Sequence, residues 1–430
     1  MSSIQALRGT RDILPSESPL WETIERLARH VLNQFAYREI RTPLFEQTEL
    51  FARGIGEATD AVGKEMYSFE DRGGRSIALR PEITAGLVRA FIQNKLFAQG
   101  GVQRLWHLGP AFRYERPQAG RQRQFHQLDV EILGSRDPRA DVEVIAIATQ
   151  LLNTLGLKAL TLELNSVGSS EDRQSYREAL VRYLTPFAHE LDTDSQDRLI
   201  RNPLRILDSK DKRTQEIVTE APSLLDFLSH DSQKHFEGVQ QHLTNLGISF
   251  NINPRLVRGL DYYTHTAFEI QSADLGAQAT VCAGGRYDGL VAQLGGPDTP
   301  AIGFGMGIER LIILLEQMKR FSTVPELDIY FISRGEKAEL QSAILANQLR
   351  QQGYSVEVDL SGSAFGKQFK RADRSGAVVG LIVGDAEAEA GKVQLKWLGS
   401  GDQAELSQAD LMAQAKDLKA KIAQRRADLA

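Results

Sequence analysis

The chain has 430 residues, of which 42% are hydrophobic and 25% charged, and a formal net charge of -5; these values describe a soluble globular protein of about three domains. It has no overall basic character, so any contact with nucleic acid must come from local patches. No apolar run reaches the roughly 18 residues of a membrane span, the single cysteine, Cys282, excludes an internal disulfide and a cysteine zinc site, and the N-terminal stretch MSSIQALRGTRDILP lacks an apolar export core, so a reducing cytoplasm is expected.

In chain order, Leu20, Ile24, Leu27, Val31 and Phe35 fall at helical spacing and predict an amphipathic helix over 17–37, with Pro15 and Pro19 marking its start. REIRTPLFE reads as a short strand ended by Pro43. RSIALRPEITAGLVRAFI reads as a strand, a bend at Pro81 and a helix from about Thr84. GGVQRLWHLGPAFRYE and RQFHQLDVEILG read as antiparallel strands joined by the basic tip RPQAGRQR. A helix near 140–154 and the strand ALTLELNSVG follow. From Ser169 to Gly247 charged and polar residues dominate, and helical spacing recurs at Tyr176, Leu180, Val181 and Leu184. This stretch is expected as a helical insertion, 169–247, interrupting a first domain 1–325. Strand sequence returns at TAFEIQ and ATVCAGG. GIERLIILLEQM then sets Ile308, Leu311, Ile312 and Leu315 on one stripe of a buried helix. Over 326–430, apolar strands at 328–332, 355–358 and 378–383 alternate with helical segments at 337–352 and 364–374. That alternation predicts a small α/β domain with mostly parallel strands.

Several kinds of chemistry drop out. GSAFGKQ fails as a phosphate loop, because Ser361 stands where the first glycine belongs and Gln368 where Ser or Thr belongs. GFGMG has the wrong spacing for a dinucleotide fingerprint, and its glycines are ordinarily a sign of tight backbone packing. The eight histidines are scattered, with no HxxxH pair and no cysteine partner, so no protein-held metal is expected. There is no GxSxG elbow. What remains is arginines and carboxylates on predicted strands: Arg80 and Glu82 flanking Pro81, Arg113 and Glu115, the tip arginines Arg116, Arg121 and Arg123, then Arg258 and Arg310. Gln127, Asp129 and Glu131 share one strand face by period two. A single strand-end arginine is ordinarily a solvated surface residue. Several of them in Gly- and Pro-punctuated settings suggest a polyanion site, with guanidinium forks gripping phosphates.

These segments, in this order, resemble the class II aminoacyl-tRNA synthetases, and among them the histidyl-tRNA synthetases. FRYERPQAGRQRQFHQLDVE resembles class motif two and GFGMGIERL motif three, with motif one near Pro43. RGLDYYTHTAFE and AGGRYDGL resemble the two peptides that mark the histidine enzymes. The resemblance covers essentially the whole chain. It implies an α+β fold: a class II core with a mixed, mainly antiparallel sheet, a helical insertion, and a C-terminal α/β anticodon-binding domain. It also implies ATP-dependent ligation of L-histidine to histidine tRNA through a histidyl-adenylate, in a cytoplasmic homodimer.

By the same resemblance, Arg113 and Arg258 grip the α-phosphate and the substrate carboxylate. Glu115 and Arg121 belong to the ATP site, Arg121 at the γ-phosphate, and Phe125 and Arg310 sandwich the adenine. Magnesium rides mainly on the ATP phosphates. Glu82, Thr84 and Gln127 meet the α-ammonium group of histidine. Glu131 accepts from one ring N–H, and a hydroxyl from Tyr262 or Tyr263 serves the other side, Tyr263 being the preferred one. Arg116 and Arg123 meet the tRNA acceptor end, and Lys367, Lys370, Arg371 and Arg374 form an RNA-backbone patch on the tail. Two positions depart from the pattern: His265 stands where a small residue is usual, and Ala283 replaces the first glycine of a triple-glycine run. The alternatives are a catalytically silent, synthetase-like regulatory subunit of ATP phosphoribosyltransferase and a sensor of uncharged tRNA. The presence of both marker peptides and of the tail weighs against the first, and the absence of room for a fused kinase against the second.

Overall fold

The computed structural model describes residues 4–56, 59–278, 280–318 and 327–427. The chain divides into two compact units, Met1–Phe321 and Ser322–Ala430. Among the described residues, no helix is long and apolar enough to cross a membrane.

The first unit is built on an eight-stranded sheet. Its spatial order is Arg38–Glu39, Gln103–Phe112, Gln124–Leu133, Ala301–Gly307, Thr280–Arg286, Thr264–Ser272, Leu160–Ser166 and Asn251–Ile252. The six central strands pair antiparallel, and the two short edge strands pair parallel to their neighbours. Period-two alternation divides the strand Gln124–Leu133 between two environments. Leu128, Val130 and Ile132 enter a core with the helices Ser18–Gln34 and Pro138–Thr154, while Gln127, Asp129 and Glu131 line a cavity on the other side. The first helix stops at Gln34, short of the predicted end, because Ala36 takes a left-handed φ of 59°, a conformation a helix cannot continue through.

The polar stretch after Ser169 is helical, over Ser170–Leu184, Thr193–Arg201, Lys212–Thr219 and His230–Asn245. Ser169 opens it with a reciprocal capping box to Asp172. These helices join both cores of the first unit. Phe236, Val239 and Leu243 pack under the sheet with Pro138–Thr154, and Tyr176, Leu180 and Leu184 share a cluster with Tyr262, Tyr263 and Phe51.

The second unit holds a five-stranded sheet in the order Val356–Val358, Ile329–Arg334, Val379–Gly384, Lys392–Trp397 and Gln403–Ser407. The first three are parallel, as the sequence predicts. The last two form an antiparallel extension, followed by helices Gln408–Ala413 and Ala415–Ala427, which the sequence reading does not anticipate. The run KVQLKW does alternate polar with apolar residues, so its period-two signal is present in the sequence and the reading passes over it.

Candidate active site

One cavity of about 680 Å³ opens on the polar face of the large sheet. Its floor comes from the strands Gln124–Leu133 and Ala301–Gly307. In their antiparallel register Gly303 lies beside Glu131, Gly305 beside Asp129 and Gly307 beside Gln127. The glycines are steric necessities here. A Cβ at Gly303 would overlap the Glu131 carboxylate, and one at Gly305 would overlap the Gln127 amide. The packing reading of GFGMG was therefore correct, and what packs there is the site itself.

Glu131 is buried at the base. The Thr84 hydroxyl donates to its Oε1 at 2.8 Å and the Tyr287 hydroxyl to its Oε2 at 2.6 Å. Burial pushes its pKa up to about 8, against the pull of those two hydrogen bonds. Burial also raises Glu82, whose two oxygens accept the backbone N–H groups of Thr84 and Ala85, both at 2.8 Å. That carboxylate closes the N-terminus of the helix Thr84–Gln93, where negative charge meets the helix dipole. Among the described residues, Gln127 Oε1 and Asp129 Oδ2 are buried with no hydrogen-bond partner.

Cations stand beside this polar floor. Arg113 donates from Nε to the Pro81 carbonyl at 2.8 Å, and its guanidinium lies 5.5 Å from the Phe125 ring centroid. Glu115 accepts from Arg121 at 3.1 Å. Arg258 is ion-paired with Glu269, which is itself held by the Thr280 hydroxyl at 2.8 Å. Arg310 donates to the carbonyls of Thr280 and Gly120. The predicted ATP and histidine residues Glu82, Thr84, Arg113, Glu115, Arg121, Phe125, Gln127, Glu131, Arg258, Tyr262, Tyr263 and Arg310 all line this one cavity.

The strand within the first marker peptide begins only at Thr264, so Tyr262 and Tyr263 escape strand alternation. Both are buried and both face the cavity, their ring centroids 4.7 Å apart. The hydroxyl that reaches Glu131 comes from a third tyrosine, Tyr287, which sequence reasoning missed although it sits in AGGRYDGL. Its ring stands edge-on to Tyr262 at 5.6 Å. Glu269 was missed as well, since nothing in TAFEIQ distinguishes it from an outward strand carboxylate. His265 lies outside the cavity lining, takes a left-handed φ of 48°, and packs against His235 at 5.4 Å. Ala283 lines the cavity without disturbing the strand Thr280–Arg286.

The predicted RNA contacts are more dispersed. Arg116 is exposed, and Arg123 lies 3.8 Å over the Tyr114 ring; neither lines the cavity. In the second unit the helix Phe365–Arg374 exposes Lys367, Lys370 and Arg374. Arg371 is turned inward instead, bonded to Asp359, Ser361 and Ser363.

Comparison with known proteins agrees with this geometry. A family model described as histidyl-tRNA synthetase matches residues 9–311, and one described as anticodon binding domain matches 328–418. Relatives named histidine–tRNA ligase from Synechocystis sp. and Picosynechococcus sp. are 67% and 66% identical. The alignments cover 98% and 99% of this chain, and 94% and 99% of theirs. The crystal structure of apo S. aureus histidyl-tRNA synthetase is 38% identical, with a TM-score of 0.81, over 96% of this chain and 100% of that one. With a cavity that gathers the residues of both marker peptides, and with relatives matched from end to end, the chain belongs to the histidyl-tRNA synthetase family.

Proposed function

We propose that the chain is a histidine–tRNA ligase, joining L-histidine to histidine tRNA at the expense of ATP. The observation that carries this reading is the pairing, within one cavity, of a buried acceptor set for a small polar substrate with a group of guanidinium cations. In the first step a carboxylate oxygen of histidine bonds to the α-phosphorus of ATP. The bond from that phosphorus to its bridging oxygen breaks, and pyrophosphate leaves with the electron pair. Charge builds on the α-phosphate, so fixed cations and positioning carry the rate. Arg113, tied through Nε to Pro81, and Arg258, held by Glu269, are oriented in advance for that charge. Arg121 and Glu115 flank the outer phosphates, and Phe125 and Arg310 take the adenine. Magnesium enters as part of the substrate, on the triphosphate.

Histidine fits the floor. Gln127 Oε1, buried without a donor, is an acceptor for the α-ammonium group beside Glu82 and Thr84. Glu131 accepts from a ring N–H, and Tyr262 and Tyr263 wall the imidazole, Tyr263 nearest Arg258. In the second step a ribose hydroxyl of the terminal adenosine attacks the histidyl carbonyl carbon and AMP leaves. Arg116 and Arg123 serve the acceptor end, and Lys367, Lys370 and Arg374 the RNA backbone, with Arg371 bracing its helix. We place the protein in the cytoplasm as a homodimer paired near Pro43. A regulatory subunit of ATP phosphoribosyltransferase would need neither the ordered cation set nor the unit matched at 328–418. The test is pyrophosphate exchange into ATP with each amino acid in turn, followed by charging of histidine tRNA. Absence of histidine-dependent exchange in folded, magnesium-supplied protein would sink the reading.

A further inference from the structure

Arg205 sits in the 3-10 turn Pro203–Asp208 of the helical stretch, far in sequence from the family's marker peptides. Its side chain is half-buried, and among the described residues it makes no hydrogen bond or ion pair. It borders three cavities: the main one, and two of about 160 and 300 Å³. Its Nη1 lies 3.3 Å from where a Cβ at Gly259 would stand, so the guanidinium rests on the backbone one residue beyond Arg258. The acids near it already have cations: Asp60 pairs with Lys64 and Arg198, both at 3.3 Å, and Asp208 with Lys210 at 3.4 Å. A partly desolvated, unpaired guanidinium is costly unless an anion compensates it.

The turn that carries Arg205 is held in place. Its N–H donates to the Asn202 carbonyl at 3.1 Å, and the Asn202 amide donates to Asp261 Oδ1 at 2.7 Å. Arg173 donates to the Asp261 carbonyl at 3.1 Å. The helical stretch is thus clamped to the loop bearing Arg258, Tyr262 and Tyr263, and Arg205 is delivered to that loop's edge. Of the cations assigned to ATP, Arg258 adjoins it, whereas Arg121 and Arg113 are neighbours of Arg310. Arg310 has Arg121, Glu115, Glu269 and Arg113 as its charged neighbours, whereas Arg205 has Asp208, Arg198, Asp60 and Arg258.

We infer that Arg205 receives a backbone phosphate of the tRNA acceptor end, holding the terminal nucleotide beside the reacting centre. This rests on the charging reaction proposed above. The attacking hydroxyl must reach the histidyl carbonyl near Arg258, and its own nucleotide's phosphate lies one ribose away. A cation resting on the backbone one residue beyond Arg258 is placed to meet that phosphate. A guanidinium fork suits a phosphodiester.

The test uses the full chain, a histidine tRNA transcript, and the variants Arg205→Gln and Arg205→Lys, each checked for folding by thermal melting. Arg205→Gln should lower kcat/KM for tRNA about 10- to 100-fold, the range of a lost charge-assisted hydrogen bond, and leave histidine-dependent exchange within about threefold. The slope of log kcat/KM against log salt should flatten by about 0.7 to 0.9, the signature of one lost phosphate contact. Arg205→Lys should charge better than Arg205→Gln. A parallel fall in exchange would assign Arg205 to adenylate formation and overturn the inference, as would unchanged charging, an unchanged salt slope, or equal charging by the two variants. Failure of the wild-type protein to exchange at all would instead strike the proposed function.

Discussion

Glu131→Gln isolates the electrostatic cost of the pocket floor. Folded, the Glu131 carboxyl keeps its proton up to about pH 8, whereas the ordinary value is 4.5. Below pH 4.5 both the folded and the unfolded chain hold that proton, and the stability linked to Glu131 is complete. As pH rises toward 8 the unfolded chain gains by ionising and the folded chain does not, so that stability is lost. At 1.36 kcal/mol per pKa unit, the loss is on the order of 5 kcal/mol above pH 8. Glutamine has no proton to lose, and it keeps the shape and an acceptor for one of the two hydroxyls; the other hydroxyl can turn to accept. The melting temperature of Glu131→Gln relative to wild type should therefore rise with pH between about 4.5 and 8 and then level off. For a unit of this size the total change should be on the order of 5 to 10 °C. The assay is a ligand-free thermal melt of both proteins at pH 5, 7 and 9. Histidine-dependent exchange should fall about 100-fold or more in the variant, because an amide cannot ionise against the bound ring N–H as a carboxyl can. A melting difference that is constant from pH 5 to 9, or that narrows as pH rises, would falsify the burial argument.

Arg258→Ala should lower the exchange rate by about 10²- to 10³-fold, the scale of one preorganised donor at a developing charge, and near-normal exchange would remove Arg258 from the α-phosphate. Gly305→Ala should displace the Gln127 amide and lower kcat/KM for histidine about 100-fold while the KM for ATP moves less than about threefold; equal effects on both substrates would mean general damage to the sheet. His265→Gly should release a left-handed residue from strain and stabilise the protein by up to about 1 kcal/mol, with exchange unchanged because the ring lies outside the cavity; a fall in melting temperature would show that packing on His235 outweighs the strain.

Different parts of this molecule reach the sequence with different clarity. The hairpin 103–133 was legible because ten-residue apolar alternation is a strong periodic signal, and the same alternation set Gln127, Asp129 and Glu131 on one face. The marker peptides brought the two tyrosines and Arg258 into one cavity with the hairpin residues. Tyr287 was as visible as they were, but its role depends on a hydroxyl reaching across to Glu131, 156 residues earlier in the chain. Glu269 and Arg205 carry no local signal at all. Glu269 stands out through its ion pair with Arg258, and Arg205 through having no partner among the described residues. The inward turn of Arg371 is of the same kind: four-residue spacing put it beside Lys367, and only the packing against Asp359 reveals that its charge is already engaged.

The glycines of the floor bear on redesign. Every possible replacement at Gly303 or Gly305 adds a Cβ, and that atom would occupy space held by Glu131 or Gln127. A library aimed at accepting a bulkier histidine analogue would therefore waste its diversity on this strand. The productive position is the wall at Ala283, which lines the cavity and makes none of the hydrogen bonds that hold Glu131.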